Sequence, residues 1–235
     1  MKIISNLSPN YSKKTRQKKD IKLVIIHYTG MQSEIESIKR LLNPIHKVSC
    51  HYLINREGKI IQMVKDKNIA WHAGKSKWKN LVNLNNCSIG IELVNRGHQF
   101  GYQNFSRKQI NSLIKLCKVL KKKYKIRKEN FLGHSDIAPL RKDDPGEKFP
   151  WKKLSNFNIG NWYKNNHFKI IIKKEKVENL FFKNLKKLGY NYFNVGRRSL
   201  KDKRIIVSFQ RRYLPNNVTG KIDKKTFKIS HFLSN

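Results

Sequence analysis

Acidic residues are scarce in this chain: 15 Asp and Glu stand against 52 Lys and Arg over 235 residues, a formal net charge of +37. Cysteine is scarcer still, with only Cys50, Cys87 and Cys117. Three thiols cannot all pair and none sits in a C-x-x-C, which argues against a disulfide scaffold and for reduced, buried thiols. No apolar run approaches the ~20 residues that cross a bilayer, so no membrane span is expected. The first twenty residues, MKIISNLSPNYSKKTRQKKD, show no apolar stretch for a signal peptide, no small-residue cleavage site and no cysteine to carry a lipid. Such a charge excess raises the question of disorder. Yet 38% apolar residues, with 12 Phe, 9 Tyr and 4 Trp, can bury a real core, which rules out wholesale disorder.

A charge of +37 attracts any polyanion: nucleic acid, anionic lipid or an acidic wall polymer. A pI near 10.3 is also the electrostatic footprint of a nucleic-acid binder. The basic residues, however, run through the whole length (KTRQKK, KVLKKKYKIRK, KNLKK, QRRY). No RNP-like aromatic strand, zinc-finger spacing or basic zipper accompanies them. Solvated lysine on every helix face explains the same composition. Charge alone assigns no function, and specific nucleic-acid binding is not expected.

Residues 1–20 read as a polar, poorly ordered lead-in. Residues 21–27, IKLVIIH, are a nearly continuous apolar run ending in a histidine, as in a buried central strand. Ser33 to Leu42 reads as a helix stopped before Pro44. Residues 50–64 form a hairpin pattern turning at Arg56-Glu57-Gly58. SIGIELV (88–94) is a second buried strand. Ser106 and Gln109 make an S-x-x-Q capping box. It opens a helix with Ile110, Leu113, Ile114, Cys117 and Leu120 on one face and lysines on the other. FLG (131–133) is a short strand before a loop rich in Asp and Pro that closes at Phe149-Pro150-Trp151. Beyond about 165 three helical patterns follow, near 174–188, 201–213 and after Asp223 as a cap. They suggest a separate small helical module joined through the lysine-rich stretch 164–176.

Three strand ends carry metal-capable residues. His27 closes the first strand, His134 follows FLG, and Asp143 and Asp144 come about ten residues later. Catalytic zinc commonly takes three protein ligands from His and carboxylate, leaving one position open. Spacing does not choose between the two aspartates. Glu92 interrupts the apolar run from Ile89 to Val94, where a charge is costly unless paired or functional. It reads either as half of a buried salt bridge or as an acceptor for the proton of a metal-activated water. Lys142, two residues before Asp144, could aim its ammonium at a developing oxyanion. Taken singly, a strand-end histidine is a hydrogen-bonded structural residue and an Asp-Asp loop is a turn. Taken together they form one coherent set.

The segment GHSDIAPLRKDDPG (133–146) resembles the signature loop of the zinc-dependent N-acetylmuramoyl-L-alanine amidases of the type 2 family, relatives of peptidoglycan recognition proteins and phage amidase-lysozymes. The likeness extends to IIHYT (25–29), SCHYLI (49–54), WHAG (71–74), SIGIEL (88–93) and DDPGEKFPW (143–151). It spans about residues 20–163 and is nearest to the two-domain envelope branch, through Asn95-Arg96-Gly97 and Ile159-Gly160-Asn161-Trp162. Asn158 departs there from that branch's glycine. The resemblance implies an α/β fold with a central mixed β-sheet flanked by helices. It implies one zinc ion (Zn2+) held by His27, His134 and Asp144, the D-P-G match favouring Asp144. Glu92 matches the family's catalytic glutamate, and Lys142 the lysine that stabilises the tetrahedral intermediate. Trp71 and His72 match the segment beside the substrate cleft. His51 and Tyr52 match a position open to substrate contact or to packing.

The tail FQRRYLPNNVTGKIDKKTF (209–227) resembles the last two helices of a peptidoglycan-binding domain, with its G-x-x-D at Gly220-Lys221-Ile222-Asp223. The alternative is a three-helix satellite packed on the catalytic part. The expected layout is therefore a polar segment (1–20), an amidase domain (21–163), a linker (164–176) and a helical domain (177–235). The expected reaction is hydrolysis of the amide between N-acetylmuramic or anhydromuramic acid and L-alanine, in peptidoglycan or muropeptides, by a monomer. Two rival readings are a non-catalytic peptidoglycan-recognition protein on the same fold and a charge-driven nucleic-acid-binding protein. Recognition-only relatives commonly lose a ligand, whereas every position is filled here. Location in the cell envelope, periplasmic or secreted, is expected over the cytoplasm from the tail and the branch, although no export signal is visible.

Overall fold

A computed structural model describes residues 1–163 and 177–235. The expected linker, 164–176, and the first residues of the helix expected from 174 lie outside the described residues. Within them the strands are β1 (Ile3–Ser5), β2 (Tyr11–Thr15), β3 (Leu23–Tyr28), β4 (Tyr52–Ile54), β5 (Ile60–Gln62), β6 (Asn68–Ala70), β7 (Lys77–Trp78), β8 (Leu81–Val82), β9 (Ser88–Leu93) and β10 (Phe131–Gly133). The helices are α1 (Glu34–Leu42), α2 (Arg107–Tyr124), α3 (His134–Ile137), α4 (Trp151–Ser155), α5 (Val177–Leu188), α6 (Asp202–Tyr213) and α7 (Lys224–Ser234).

Six strands form one mixed sheet in the order β1-β5-β4-β9-β3-β10. The central strands β4, β9, β3 and β10 are parallel, so their carboxyl ends share one rim, and β4 and β5 form the expected hairpin. Side chains alternate between faces along a strand. On one face Val24, Ile26, Ile89, Ile91 and Leu93 pack against Ile110, Leu113, Ile114 and Cys117 of α2. Ser88, Gly90 and Glu92 therefore fall on the other face, in register with Leu23, Ile25 and His27. Ser106 caps α2 by accepting from the Gln109 N–H at 3.0 Å, but the capping box stays half-built. The Gln109 amide instead donates to the carbonyls of Ile54 and Val94, tying α2 to the ends of β4 and β9.

The three C-terminal helices form as the periodicity predicts, and Asp223 caps α7 through the Thr226 N–H. They do not stand apart. Phe181, Leu185 and Phe209 join Leu23, Ile25 and Leu132 in a single cluster, so α5–α7 cover the sheet face opposite α2. A strand apolar on both faces needs a cover on each, and this module supplies the second.

The N-terminal segment also departs from expectation, because it is built into the fold. β1 extends the sheet beside β5, and β2 pairs with β6. Its anchors are polar: the Asn10 amide donates to the carbonyls of Leu41, Asn43 and Val48, and Arg16 to those of Asp66, Asn85 and Ser88. Segments held by buried hydrogen bonds leave no apolar signature in the sequence. No helix among the described residues is long and apolar enough to cross a membrane.

Candidate metal centre

β3 carries His27 to the carboxyl rim of the sheet, and the β3–β9 register sets Glu92 directly beside it. β10 delivers His134 as the first residue of α3. The loop beyond α3 folds back so that the Ser135 N–H donates to the Asp144 carbonyl at 2.8 Å. Gly133 permits this return, since a Cβ there would lie 2.7 Å from Cδ of Pro145.

The loop closes a triangle of donor atoms. His27 Nδ1 is 3.0 Å from His134 Nδ1 and 2.9 Å from Asp144 Oδ2, and His134 Nδ1 is 3.1 Å from the same oxygen. All three residues are buried. Ligands at 2.0–2.1 Å from a tetrahedral zinc lie about 3.3 Å apart, so the spacing suits that ion. Two imidazole lone pairs and a carboxylate facing each other repel unless a cation sits among them. The donor set fits a bound metal.

Burial pushes the His27 imidazolium down to about 4, with repulsion from His134 adding to it and Asp144 opposing. Burial also works against ionisation of Asp144, but the neighbouring His134 and His27 outweigh it. They hold its carboxyl well below the usual carboxylate range. A neutral His27 and an ionised Asp144 are the protonation states that ligation requires. Asp143, the other aspartate the spacing allowed, turns outward to Arg204 (3.1 Å) and Arg211.

Glu92 is partly buried, and its Oε2 has no hydrogen-bond partner among the described residues. Burial first, and then the Asp144 charge, push its carboxyl up to about 8, while Lys142 pulls the other way. Lys142 is tethered by its backbone N–H to the Ala138 carbonyl at 3.1 Å, and its charge is felt at both Glu92 and His27.

The residues matched to the substrate cleft fare differently. His72 is buried, with Nδ1 3.0 Å from His27 Nε2 and Nε2 3.2 Å from Ser88 Oγ, so it faces His27 and not a cleft. His51 is also buried: its Nδ1 accepts from the Gly90 N–H at 3.0 Å, and its Nε2 lies 2.7 Å from Arg16 Nη2. Tyr52 points to the opposite face and donates to Asp66 Oδ1 at 2.7 Å, so packing is its role. Only Trp71 of the four keeps partly exposed surface.

Sequence reasoning missed Arg141, which donates through Nε to the Lys75 carbonyl at 3.0 Å and through Nη2 to that of Ala73, bracing the loop beside His134. It also missed His98, which bridges Tyr28 (2.9 Å) and Glu147 (3.1 Å) near the rim. The only available signal was their place inside or next to the matched loops.

The chain matches the family described as N-acetylmuramoyl-L-alanine amidase (Amidase_2) over residues 17–147. It is 34% identical to the N-acetylmuramoyl-L-alanine amidase AmiD of Escherichia coli K12 over 230 residues, 91% of this chain and 82% of that protein. The structure of AmiD in complex with the substrate anhydro-N-acetylmuramic acid-L-Ala-D-γ-Glu-L-Lys superposes with a TM-score of 0.79 at 32% identity, covering 91% of this chain and 88% of AmiD. AmpDh3 of Pseudomonas aeruginosa in complex with anhydromuramic pentapeptide superposes with a TM-score of 0.79 at 29% identity, covering 96% of this chain and 95% of AmpDh3.

Proposed function

This chain belongs to the N-acetylmuramoyl-L-alanine amidase family, and from that premise we propose that it hydrolyses the amide between the lactyl group of N-acetylmuramic or anhydromuramic acid and L-alanine in wall-derived muropeptides. The observation that carries this reading is the buried His27–His134–Asp144 triangle with Glu92 in register beside His27. Zinc is the ion the donor set suits, and when bound it polarises a scissile carbonyl and acidifies a water. Glu92 accepts the proton of the attacking water and returns it to the leaving L-alanine nitrogen. The Lys142 ammonium donates to the carbonyl oxygen as negative charge develops there. Arg141 and the short turn after α3 keep His134 and Lys142 in place during the exchange. The direct test is release of the stem peptide from an anhydro-muropeptide, lost on chelation and restored by zinc. A zinc-loaded protein that leaves the muropeptide intact would remove the reading.

Metal content separates the two aspartates. His134→Ala is expected to retain less than about one tenth of the wild-type zinc, because one of three ligands is gone. Asp143→Ala should keep its metal, since that carboxylate serves the α6 arginines. Elemental analysis of the purified variants reads both; full zinc in His134→Ala would overturn the assignment.

The division of labour follows from the same premise. Residues 21–163 carry the chemistry, and the outer surface of α5–α7 adds contact with peptidoglycan, helped by the basic charge. A monomer acting in the cell envelope fits this substrate, and fractionation of the native cell checks the compartment.

A further inference from the structure

A neutral imidazole can serve a metal only through the nitrogen that lacks a proton, and the hydrogen-bond partner of the far nitrogen decides which one that is. At His134 two groups meet the far nitrogen. Nε2 lies 3.1 Å from the Ala73 oxygen, which can only accept, and 3.3 Å from Arg141 Nη2, which can only donate. Arg141 Nη2 donates to the same Ala73 oxygen, its much closer partner, so the carbonyl decides: Nε2 carries the proton and Nδ1 keeps its lone pair toward His27 and Asp144.

At His27 the partner is a second histidine, and either ring could be the donor. The choice is made two hydrogen bonds further on. Ser88 Oγ lies 2.6 Å from the Leu84 carbonyl and 3.2 Å from His72 Nε2. A carbonyl has no proton to give, so the single hydroxyl proton goes to Leu84. Ser88 Oγ must then accept from His72 Nε2–H. That leaves His72 Nδ1 as an acceptor, 3.0 Å from His27 Nε2. His27 donates through Nε2, and its Nδ1 lone pair is left facing the centre. Reversing the chain would turn an N–H toward the ion.

We propose that the Trp71–Gly74 segment is an orienting bracket for the metal histidines, with His72 and Ser88 as positioning residues and the Leu84 and Ala73 carbonyls as the anchors that set the tautomers of His27 and His134. Two further features belong to the same device. The turn Leu84–Cys87 that supplies the Leu84 carbonyl also supplies Asn85, whose Oδ1 accepts from the backbone N–H groups of His72 (3.1 Å) and Ala73 (2.7 Å). Gly90 lets the His72 ring lie against β9, since a Cβ there would sit 2.4 Å from His72 Cγ. Ser88 is fully buried and His72 is 6% exposed, so water cannot replace a lost partner.

This inference rests on the metal-centre reading, and its test keeps the two apart. Long-range proton–nitrogen NMR on 15N-labelled, zinc-loaded protein reads each tautomer, and competition with a chromogenic chelator reads zinc affinity. His27, His72 and His134 are expected to carry their protons on Nε2. Ser88→Ala should keep the fold, scramble the His72 signals and weaken zinc binding by roughly tenfold to a hundredfold. Gly90→Ala should weaken it similarly by displacing the ring while every polar group remains. If Gly90→Ala fails to fold, Ser88→Ala alone decides. A wild-type His72 protonated on Nδ1, or wild-type affinity in the folded variants, overturns the bracket while leaving the metal centre standing. A wild-type protein that takes up no zinc removes both.

Discussion

Replacing Glu92 with Gln is expected to lower turnover on a muropeptide by at least about 10²-fold while zinc content stays at the wild-type level. Two readings of a carboxylate inside an apolar strand compete here, and the variant separates them. A structural charge would be matched by a Lys or Arg, and removing it would strand a buried cation at a cost of about 3–5 kcal/mol. Glu92 has an unpartnered oxygen, and the ion pairs of the described residues do not include it. Gln keeps the shape and the hydrogen-bonding capacity, so the zinc-loaded variant should melt close to wild type. Early melting together with wild-type turnover would reverse the assignment.

The same variant carries a pH signature in the metal-free protein. With its carboxyl pushed from 4.5 up to about 8, folded Glu92 holds a proton that the unfolded chain has released. Its contribution to stability is therefore fully present below about pH 4.5 and is lost as pH rises through about 8. Metal-free wild type should lose stability across that window, and metal-free Glu92→Gln should lack this component. At pH 8 or above the variant should then be the more stable of the two, the opposite of what a broken salt bridge gives. Denaturant titrations at pH 5 and pH 8.5 read the sign. Binding a cation beside Asp144 offsets the negative charge that helps raise Glu92, so loading the site favours the ionised form that can accept a proton.

Much of the site was legible because its residues are chemically out of place. His27 at the end of an apolar run, Glu92 inside one and His134 after a three-residue strand all contradict their surroundings, and the fold brings them to one rim. The choice between Asp143 and Asp144 was not legible from spacing, since adjacent loop residues have equal reach. It depends on Arg204 and Arg211, which come from a helix some 60 residues further on. The matched motifs left His51 and Tyr52 open between packing and substrate contact and set His72 beside the cleft, because lying in a motif does not reveal which way a side chain faces. β3, β9 and α2 announced themselves by period. β1 and β2 did not, because Asn10 and Arg16 hold them with hydrogen bonds to carbonyls instead of buried apolar surface. The docking of α5–α7 had a signal in hindsight: α2 could cover only one face of a strand as apolar on both sides as Leu23–Ile26.

Cutting the chain after Tyr163 is accordingly expected to give an aggregating or molten product, not an independent amidase domain. The cut uncovers Leu23, Ile25 and Leu132 of the sheet and Trp78 of β7, an apolar patch that soluble monomers rarely tolerate. It also unpairs Asp136 at the root of the loop that carries Asp144. Asp136 Oδ2 accepts from the Gly133 N–H at 2.7 Å and pairs with Arg212, and its Oδ1 accepts from Tyr190 at 2.7 Å. Arg212 is 3% and Asp136 1% exposed, so no water stands ready to solvate the survivor. Arg212→Met should isolate this effect, costing about 3–5 kcal/mol, a fall of roughly 6–20 °C in Tm for a chain of this size. Adding Asp136→Asn removes the stranded charge. The double variant should then be less destabilised than the two single losses sum to, by an interaction energy of about 1–3 kcal/mol. Calorimetry on the four proteins of that cycle measures it. A residue 1–163 fragment that folds as a monomer, binds zinc and hydrolyses muropeptide at the full-length rate would show instead that the helices are a detachable wall-binding module, and that the shared core contributes little to the catalytic fold.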